Sequence, residues 1–312
     1  MDKHSLTPYI KAEAKRLGFD VCGIAKAEPV PSKVASAFKK WVTEGRQATM
    51  GYMANHLEKR LDPTLLVEGT QSIICLAMNY HPLQEMKGYE LAWYAYGKDY
   101  HEVMKQHLFL LLEAIKQTAP EADGRCFCDT APVLERYWAE KAGLGWRGKN
   151  TQLIIPHQGT AFFLGEIFLN LELEYDEPVK NGCGNCHACQ DLCPMQALYT
   201  DAESGIPMLD ANRCLSYQTI ENRGEISQEA KLKMGNRIYG CDQCQKACPH
   251  NRFSTPTSHE EFLPSCELME MTPEDWDQLT QEKYQQLFKG SAVKRAKYDG
   301  LVRNIKAVKE NH

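Results

Sequence analysis

Long apolar runs are absent from this sequence: no stretch of about 18 uncharged apolar residues occurs, which argues against a membrane-spanning helix. The N-terminal stretch MDKHSLTPYIKAEAKRLGFD also lacks the apolar core of a secretory signal peptide. Positively charged residues are fewer than negatively charged ones, with 36 Lys and Arg residues and 41 Asp and Glu residues. The net charge of -5 therefore gives no general indication of a polyanionic partner. We therefore expect a cytoplasmic protein that does not enter a membrane.

Cysteine, in contrast, is abundant, with 13 residues in a chain of 312. An odd number of cysteines cannot pair completely as disulfides, and disulfides are rare in the cytoplasm. Clustered cysteines in a chain of this size more often serve metal or redox chemistry. The hydrophobic share of 43% is that of an ordinary globular protein, so a full apolar core is expected as well.

Helical and strand patterns alternate over about the first 175 residues, which predicts an α+β layered architecture. Helices are predicted near residues 6–19, with Thr7 and Pro8 at the N-cap and first turn, and near 31–45, 100–118 and 131–143. Buried strands are predicted near residues 19–25, 71–80, 124–129, 151–156 and 161–173. The segment EYDEPVKNG then marks a boundary. We predict three parts: a catalytic domain at 1–175, a cysteine-rich module at 176–258 and a basic helical segment at 259–312.

The cysteine-rich module contains the spacing C-x2-C-x2-C-x3-C-P at residues 183–194, which is how bacterial ferredoxins bind 4Fe-4S clusters. In that arrangement the fourth cysteine binds the neighbouring cluster. The second run, CDQCQKACP at 241–249, has three cysteines where the template needs four, and Cys214 can supply the missing one. The predicted ligands are therefore a first set and a second set: Cys183, Cys186, Cys189 and Cys248, and Cys193, Cys214, Cys241 and Cys244.

Zinc is the alternative for these cysteines, because C-x2-C pairs are also typical of tetrahedral zinc sites. Zinc does not require the crossed pattern that ends in Cys-Pro, so the spacing favours iron-sulfur clusters. Two clusters in one ferredoxin-like module form an electron relay. The long segment that precedes the module favours an enzyme over a free-standing electron carrier.

The C-terminal stretch from Gly290 is basic although the whole chain is acidic. Such a stretch is typical of a surface that meets phosphate groups, although a solvated helix end has the same composition. Its positive residues are Lys294, Arg295, Lys297, Arg303, Lys306 and Lys309.

Five motifs, in this order, resemble the epoxyqueuosine reductase family: YGKDYH, CDTAPVLERYWAEKAGLGWRGKNTQLI, CLSYQTIENRG, YGCDQCQKACPHN and GSAVKRAKYDGLVRNI. The resemblance implies an oxidoreductase for the last step of queuosine synthesis, which reduces the epoxide on the wobble base of a tRNA to a cyclopentene. It also implies cobalamin, bound base-off, beside two 4Fe-4S clusters, and a fold similar to that of reductive dehalogenases. The alternatives are another corrinoid iron-sulfur reductase, such as a dehalogenase, and a ferredoxin-type electron carrier.

The resemblance implies that Asp129 is the proton donor, which near neutral pH would require a raised pKa. The other interpretation of Asp129 is an N-cap of the helix that follows it. His101 lies in a D-x-H-x-x-G-like stretch, but Met104 takes the place of the glycine, so His101 is not expected to bind cobalt. The expected cobalamin-binding residues are Tyr96, Lys98, Asp99, Asp129, Asn150, Thr151, Ser216, Tyr217, Gln218, Asp242 and Gln243.

A tRNA with epoxyqueuosine in its anticodon loop is the implied substrate, and an external donor of flavodoxin or ferredoxin type is the implied electron source. A monomer is expected. Many family members continue into a helical repeat domain, whereas this sequence stops at His312, which puts any binding surface of that repeat in doubt. The expected tRNA-binding residues are Arg223, Lys231, Lys294, Arg295, Lys297 and Arg303.

Overall fold

The computed structural model describes residues 2–311, and helices make up most of its regular structure. The α-helices are α1 Lys3–Arg16, α2 Ser32–Thr43, α3 Leu57–Leu61, α4 Pro63–Leu66, α5 Tyr100–Thr118, α6 Glu135–Lys141, α7 Ala188–Asp191, α8 Leu215–Ile220, α9 Gln228–Lys233, α10 Gln243–Lys246, α11 Cys266–Glu270, α12 Pro273–Asp277, α13 Gln281–Leu287 and α14 Lys297–Lys309. Short 3-10 helices lie at Gly51–Met53, Trp93–Ala95, Ala211–Arg213, Pro249–Phe253, Glu260–Phe262 and Ala292–Ala296.

The strands form one four-stranded sheet, in the order β1-β2-β7-β4, and three two-stranded pairs. All neighbours in the four-stranded sheet are antiparallel. The strands are β1 Val21–Lys26, β2 Ser72–Asn79, β3 Glu90–Leu91, β4 Gly124–Phe127, β5 Trp146–Arg147, β6 Leu153–Ile154, β7 Phe162–Leu169, β8 Leu198–Thr200, β9 Pro207–Leu209 and β10 Arg237–Tyr239.

The two central strands, β2 and β7, are apolar on both faces because helices cover both sides of the sheet. Helix α5 packs on one face through residues such as Leu108, and α6 packs on the other through Trp138. Gly165 of β7 allows the close approach of α5, since a Cβ there would lie 2.9 Å from the side chains of Leu108 and Met104. An antiparallel sheet between helical layers confirms the α+β prediction.

Several predicted boundaries differ from the structure. Helix α1 begins earlier than predicted because Asp2 is its N-cap and accepts a hydrogen bond from the Ser5 backbone N–H. The Thr7 hydroxyl instead accepts a bond from the backbone N–H of Glu174, and Pro8 lies inside the helix. Helix α6 begins only at Glu135, and the strand predicted at 151–156 is reduced to β6. These positions depend on tertiary partners, which local patterns do not contain.

The three predicted parts of the chain share their largest apolar core, which includes Leu111, Tyr239 and Leu301. Strand β10 pairs in parallel with β3, and Asp176 accepts a hydrogen bond from the Ile24 backbone N–H. The boundaries after residues 175 and 258 therefore stay predictions. Among the helices of residues 2–311, none combines the length and the apolar character needed to cross a membrane.

Candidate active site

The first cysteine set surrounds a small cavity of about 20 Å³. Cys183, Cys186, Cys189 and Cys248 all line it, although Cys248 lies far along the chain from the other three. The Trp146 indole N–H donates a hydrogen bond of 3.4 Å to the Cys183 sulfur, as expected beside a sulfur that carries negative charge when it binds metal. Cys186 is exposed, so this set lies near the protein surface.

The second cysteine set lines a larger cavity of about 370 Å³ that opens to solvent. Its members are Cys193, Cys214, Cys241 and Cys244. Cys214 reaches this place because it is the N-cap residue of α8, between that helix and the 3-10 turn at Ala211–Arg213. The structure thus brings together each of the two predicted sets of four thiols.

One residue connects the two cavities. Asn150 lines both of them, is almost fully buried, and its amide donates a hydrogen bond of 3.4 Å to the backbone carbonyl of Cys244. Six of the predicted cofactor-binding residues line the larger cavity: Asp129, Asn150, Thr151, Ser216, Asp242 and Gln243.

The other five predicted cofactor-binding residues do not line that cavity. The Tyr96 hydroxyl accepts a bond from the Met86 backbone N–H, and Asp99 caps helix α5. The Tyr217 hydroxyl bonds to Thr49 at 2.7 Å. The remaining two are Gln218, whose amide donates to the Asn212 carbonyl, and Lys98, which is exposed.

Asp129 lies on the loop between β4 and α6, in the left-handed backbone region with a φ of 53°. Such a conformation is uncommon for a non-glycine residue and persists where surrounding contacts hold it. Its backbone N–H donates to the Glu135 carboxylate, and its own carboxylate accepts a bond from the Tyr100 hydroxyl. The N-cap position of α6 is Leu134, so the interpretation of Asp129 as a helix cap is wrong.

Two residues at the start of α5 set the charge state of Asp129. Desolvation by the surrounding loop tends to raise the pKa of Asp129, although 58% of its side chain is exposed. Hydrogen bonds from His101 and Tyr100 and the positive charge of His101 outweigh this desolvation and hold the pKa below its usual value. The expected raised pKa is therefore not found. Burial lowers the pKa of His101, yet hydrogen bonds to Asp129 and Asp99 prevail and raise it to about 9. At neutral pH the His101 imidazole is therefore protonated, and the Asp129 carboxyl is ionised.

Both ring nitrogens of His101 have partners. Its Nδ1 lies 2.7 Å from the Asp99 carboxylate and its Nε2 lies 3.5 Å from that of Asp129. Met104, at the glycine position of the cobalamin-type motif, is fully buried in the core under Gly165. This arrangement leaves neither nitrogen free to serve as a metal ligand.

Sequence reasoning missed two members of the site. Tyr100 occurs within the YGKDYH motif, which was the available signal for it. Glu135 lines the cavity, and burial together with the negative charge of Asp129 raises its pKa to about 8. Nothing in the local sequence separates Glu135 from an ordinary glutamate in the first turn of a helix.

The three predicted tRNA-binding arginines contact other residues of the protein and do not form a free basic surface. Arg223 donates to the carbonyls of Arg295 and Ala296, and Arg295 forms two hydrogen bonds with Glu221. Arg303 donates to three backbone carbonyls, those of Gln218, Asn222 and Gly224.

The predicted lysines differ from these arginines. Lys231 lies 3.5 Å from Glu310. Lys294 and Lys297 are exposed and form no ion pair within residues 2–311. These two side chains are therefore available to a ligand from solution.

Two family models match the chain. Residues 60–130 match the model described as "Epoxyqueuosine reductase QueG, DUF1730". Residues 182–251 match the "4Fe-4S double cluster binding domain", which contains both cysteine sets and confirms the prediction of two 4Fe-4S clusters over zinc.

The chain is also similar to individual proteins over nearly its full length. An epoxyqueuosine reductase of Leadbetterella byssophila is 46% identical over 303 residues, which is 96% of this chain and 97% of the relative. A solved epoxyqueuosine reductase with an epoxyqueuosine-modified tRNA stem loop has a TM-score of 0.87 and 26% identity, covering 99% of this chain and 82% of that one. A Bacillus subtilis epoxyqueuosine reductase whose aspartate catalytic loop is swung out of the active site has a TM-score of 0.86 and 25% identity, with the same coverage.

The predicted similarity to dehalogenases holds at the level of the fold. A catabolic reductive dehalogenase has a TM-score of 0.50 at 18% identity, with 80% of this chain and 32% of that chain covered. The relatives, the family models and the motifs agree, and the chain belongs to the epoxyqueuosine reductase family, a family of oxidoreductases.

Proposed function

We propose that this protein reduces epoxyqueuosine at the wobble position of a tRNA to queuosine. The observation that carries the proposal is that Asp129 and the second cysteine set line the same cavity. An electron source and a proton source therefore face one space. The related enzyme with a modified tRNA stem loop supports the substrate, and the relative with an aspartate catalytic loop supports the role of Asp129.

The larger cavity has the polar lining and the open side that a large cofactor such as cobalamin needs. Its volume of about 370 Å³ lies within the roughly 300–1,000 Å³ that is typical of small-molecule and cofactor sites, and because it opens to solvent a larger molecule can extend out of it. Asn150, Thr151, Ser216, Asp242 and Gln243 would hold the cofactor through their polar groups at the wall. When bound, cobalamin supplies reduction of the substrate carbon next to the epoxide oxygen. The engaged nitrogens of His101 support binding without a histidine ligand, and we propose the base-off form.

Asp129 acts as the last proton carrier to the epoxide oxygen. Its carboxylate is ionised at rest, so the proton that it transfers comes from His101, whose pKa of about 9 keeps the imidazole protonated at neutral pH. The Tyr100 hydroxyl orients the same carboxylate. This arrangement provides a general acid near neutral pH without a raised carboxyl pKa.

Electrons from a flavodoxin- or ferredoxin-type donor enter at the first cysteine set and leave at the second. Cys186 is exposed, whereas the second set lines the cavity, which supports this direction. Within the cytoplasm, the protein acts as a monomer with one relay and one site per chain.

The RNA approaches over the surface near Tyr52. This side chain is 46% exposed, and the guanidinium carbon of Arg295 lies 5.8 Å from its ring centroid. The bond between Thr49 and Tyr217 fixes this loop beside the cavity wall. An exposed aromatic ring backed by a cation is suited to stack on an unpaired base, and Lys294 and Lys297 nearby in the chain supply charge for phosphate groups.

Replacing both lysines, in a Lys294→Ala/Lys297→Ala variant, should weaken binding of a tRNA anticodon stem loop. Each lost phosphate contact should also reduce the slope of log affinity against log salt by about 0.7–1. Fluorescence anisotropy at several salt concentrations measures both effects. The matched control is Lys15→Ala/Lys33→Ala, which removes two exposed lysines from α1 and α2, and an equal change in that control would contradict the assignment.

Arg303→Ala provides a contrast with the lysine variant. Because Arg303 contacts backbone carbonyls, its loss should lower thermal stability, at a cost of about 1–3 kcal/mol for acceptors left unsatisfied. Its effect on the salt slope should be small.

The function itself is tested by nucleoside analysis. Protein reconstituted with iron, sulfide and cobalamin is incubated with a strong reductant and tRNA that contains epoxyqueuosine. Appearance of queuosine is the expected result. Activity on small halogenated compounds without conversion of the tRNA would instead favour a dehalogenase.

A further inference from the structure

The surface around the first cysteine set contains no acidic residue. It is formed by residues 145–158, 178–187 and 247–258, which line the small cavity or pack beside it, and it is named the entry face. None of these segments contains Asp or Glu, although the chain has 41 such residues. The first set therefore lies in a basic surface of an acidic protein. The positive residues of the entry face are Arg147, Lys149, Lys180 and Arg252.

Two of these cations are available to a partner. Lys180 and Arg252 are exposed, and neither forms an ion pair within residues 2–311. Lys149 is half-buried, and its Nζ donates a hydrogen bond of 2.9 Å to the backbone carbonyl of Gly184, so its charge is not neutralised. Asp191 lies outside the three segments and pairs with a histidine instead of with these cations.

An exposed aromatic ring lies beside these charges. Phe253 is 41% exposed, and the guanidinium carbon of Arg252 lies 4.6 Å from its ring centroid. The His157 ring packs edge-on against it, with the centroids 5.7 Å apart. Phe253 ends the 3-10 helix that starts at Pro249, a residue of the cavity wall, and a rise of about 2 Å per residue separates the two by roughly 8 Å. An apolar contact point therefore lies close to the first set.

We propose that the entry face is the docking surface for a small acidic flavin protein, a donor of flavodoxin type. This inference rests on the proposed function, in which electrons enter at the first cysteine set. Positive charge attracts an acidic partner and raises its association rate, and the Phe253 ring fits the apolar dimethylbenzene edge of a flavin. Cys186 is exposed, so the flavin edge can approach this set from solvent.

The transfer at this surface is one electron per encounter. The anionic flavin hydroquinone loses one electron and becomes the neutral semiquinone, and the 4Fe-4S cluster of the first set accepts that electron. No proton moves and no covalent bond forms or breaks. Electron-transfer complexes of this kind bury little area and are short-lived, so the charges of the docking surface have a large influence on their rate.

Rapid mixing of the reconstituted protein with flavodoxin hydroquinone measures docking without tRNA, through the loss of cluster absorption. In Lys180→Glu/Arg252→Glu the second-order rate constant should fall at least about tenfold at low salt. The difference should disappear above about 0.5 M salt, where charges a few ångströms apart are already screened. The matched control, Lys15→Glu/Lys33→Glu, reverses two exposed charges on α1 and α2. An equal loss in this control would overturn the proposal, because net charge alone would then explain it.

A redox titration separates docking from an effect on the cluster itself. The midpoint potentials of the clusters, measured with small-molecule mediators, should be the same in Lys180→Glu/Arg252→Glu and in wild type. The affinity for oxidised flavodoxin, measured by calorimetry at low salt, should fall at least about tenfold. Slower reduction that follows a lowered potential, with unchanged affinity, would overturn the proposal, because the cations would then act on the cluster and not on a partner.

Phe253→Ala tests the apolar contact point. Its affinity for oxidised flavodoxin should fall about fivefold or more at both low and high salt, because salt does not screen an apolar contact. A loss at low salt only, or no loss, would contradict the role of Phe253.

The choice of a flavin partner is tested with a ferredoxin as the alternative donor. Flavodoxin should reduce the first set faster than the ferredoxin does, and the reverse order would overturn this choice. Because all of these measurements omit tRNA, they succeed or fail separately from the proposed function. Normal reduction by flavodoxin without conversion of epoxyqueuosine would contradict the proposed function alone.

Discussion

Asp129→Asn should lower turnover of epoxyqueuosine-containing tRNA by about 10²–10⁴-fold, the usual contribution of a positioned general acid. The amide cannot pass on a proton, and the imidazole of His101 loses the carboxylate that raises its pKa. Iron content and cofactor binding should remain near wild type, because Asp129 belongs to neither cysteine set. Single-turnover conversion, followed by nucleoside analysis, measures the loss.

Asp191→Asn is the matched control for this variant. Asp191 also pairs with a histidine, since its carboxylate lies 2.7 Å from Nδ1 of His187, but this pair is exposed and lies outside the cavity. The control should keep full turnover. If Asp129→Asn were equally active, the proton would have to come from another group, and Tyr100 would be the next candidate.

Cys214→Ser should remove the second cluster and abolish activity. Iron content should fall from about eight to about four atoms per chain, since each 4Fe-4S cluster holds four. The first cluster should survive because Cys214 does not line the cavity that the first cysteine set surrounds. Iron analysis and the visible absorption of the clusters measure the change, and reduction of the tRNA should fall to background because no electrons reach the cavity.

Cys266→Ser is the control for the cysteine variant. Cys266 is exposed at the start of α11 and lies outside both sets. This variant should retain about eight iron atoms per chain and full activity. If Cys214→Ser kept the full iron content, the crossed ligand assignment would have to be abandoned.

The sequence predicts well the features that depend on residues close together in the chain. Helix α5 has the predicted bounds because its apolar spacing and its N-cap, Asp99, are both local signals. The two cysteine sets follow from a spacing rule together with the count of ligands that two clusters need. The structure places each set around its own cavity.

The features that it predicts poorly depend on partners from distant segments. The pKa of Asp129 moves opposite to expectation because α5 brings His101 and Tyr100 to its carboxylate. The basic C-terminal pattern does not distinguish arginines that donate to backbone carbonyls from lysines that face solvent. The apolar run AFFLGEIFLNLEL contains two glutamates, Glu166 and Glu172, and the first of them lies in the middle of the predicted buried strand, where an acid is uncommon.

The contacts of α14 have a consequence for the stability of the cavity wall. Arg303 and Asn304 hold the carbonyls of residues that follow Ser216 on the cavity wall, including Gln218 and Thr219. A mutation or a proteolytic cut in α14 should therefore loosen the wall of the cavity that the second cysteine set lines. An activity assay would then detect the damage as a loss of electron delivery. The support of the cavity wall therefore extends to a helix that contains no cysteine.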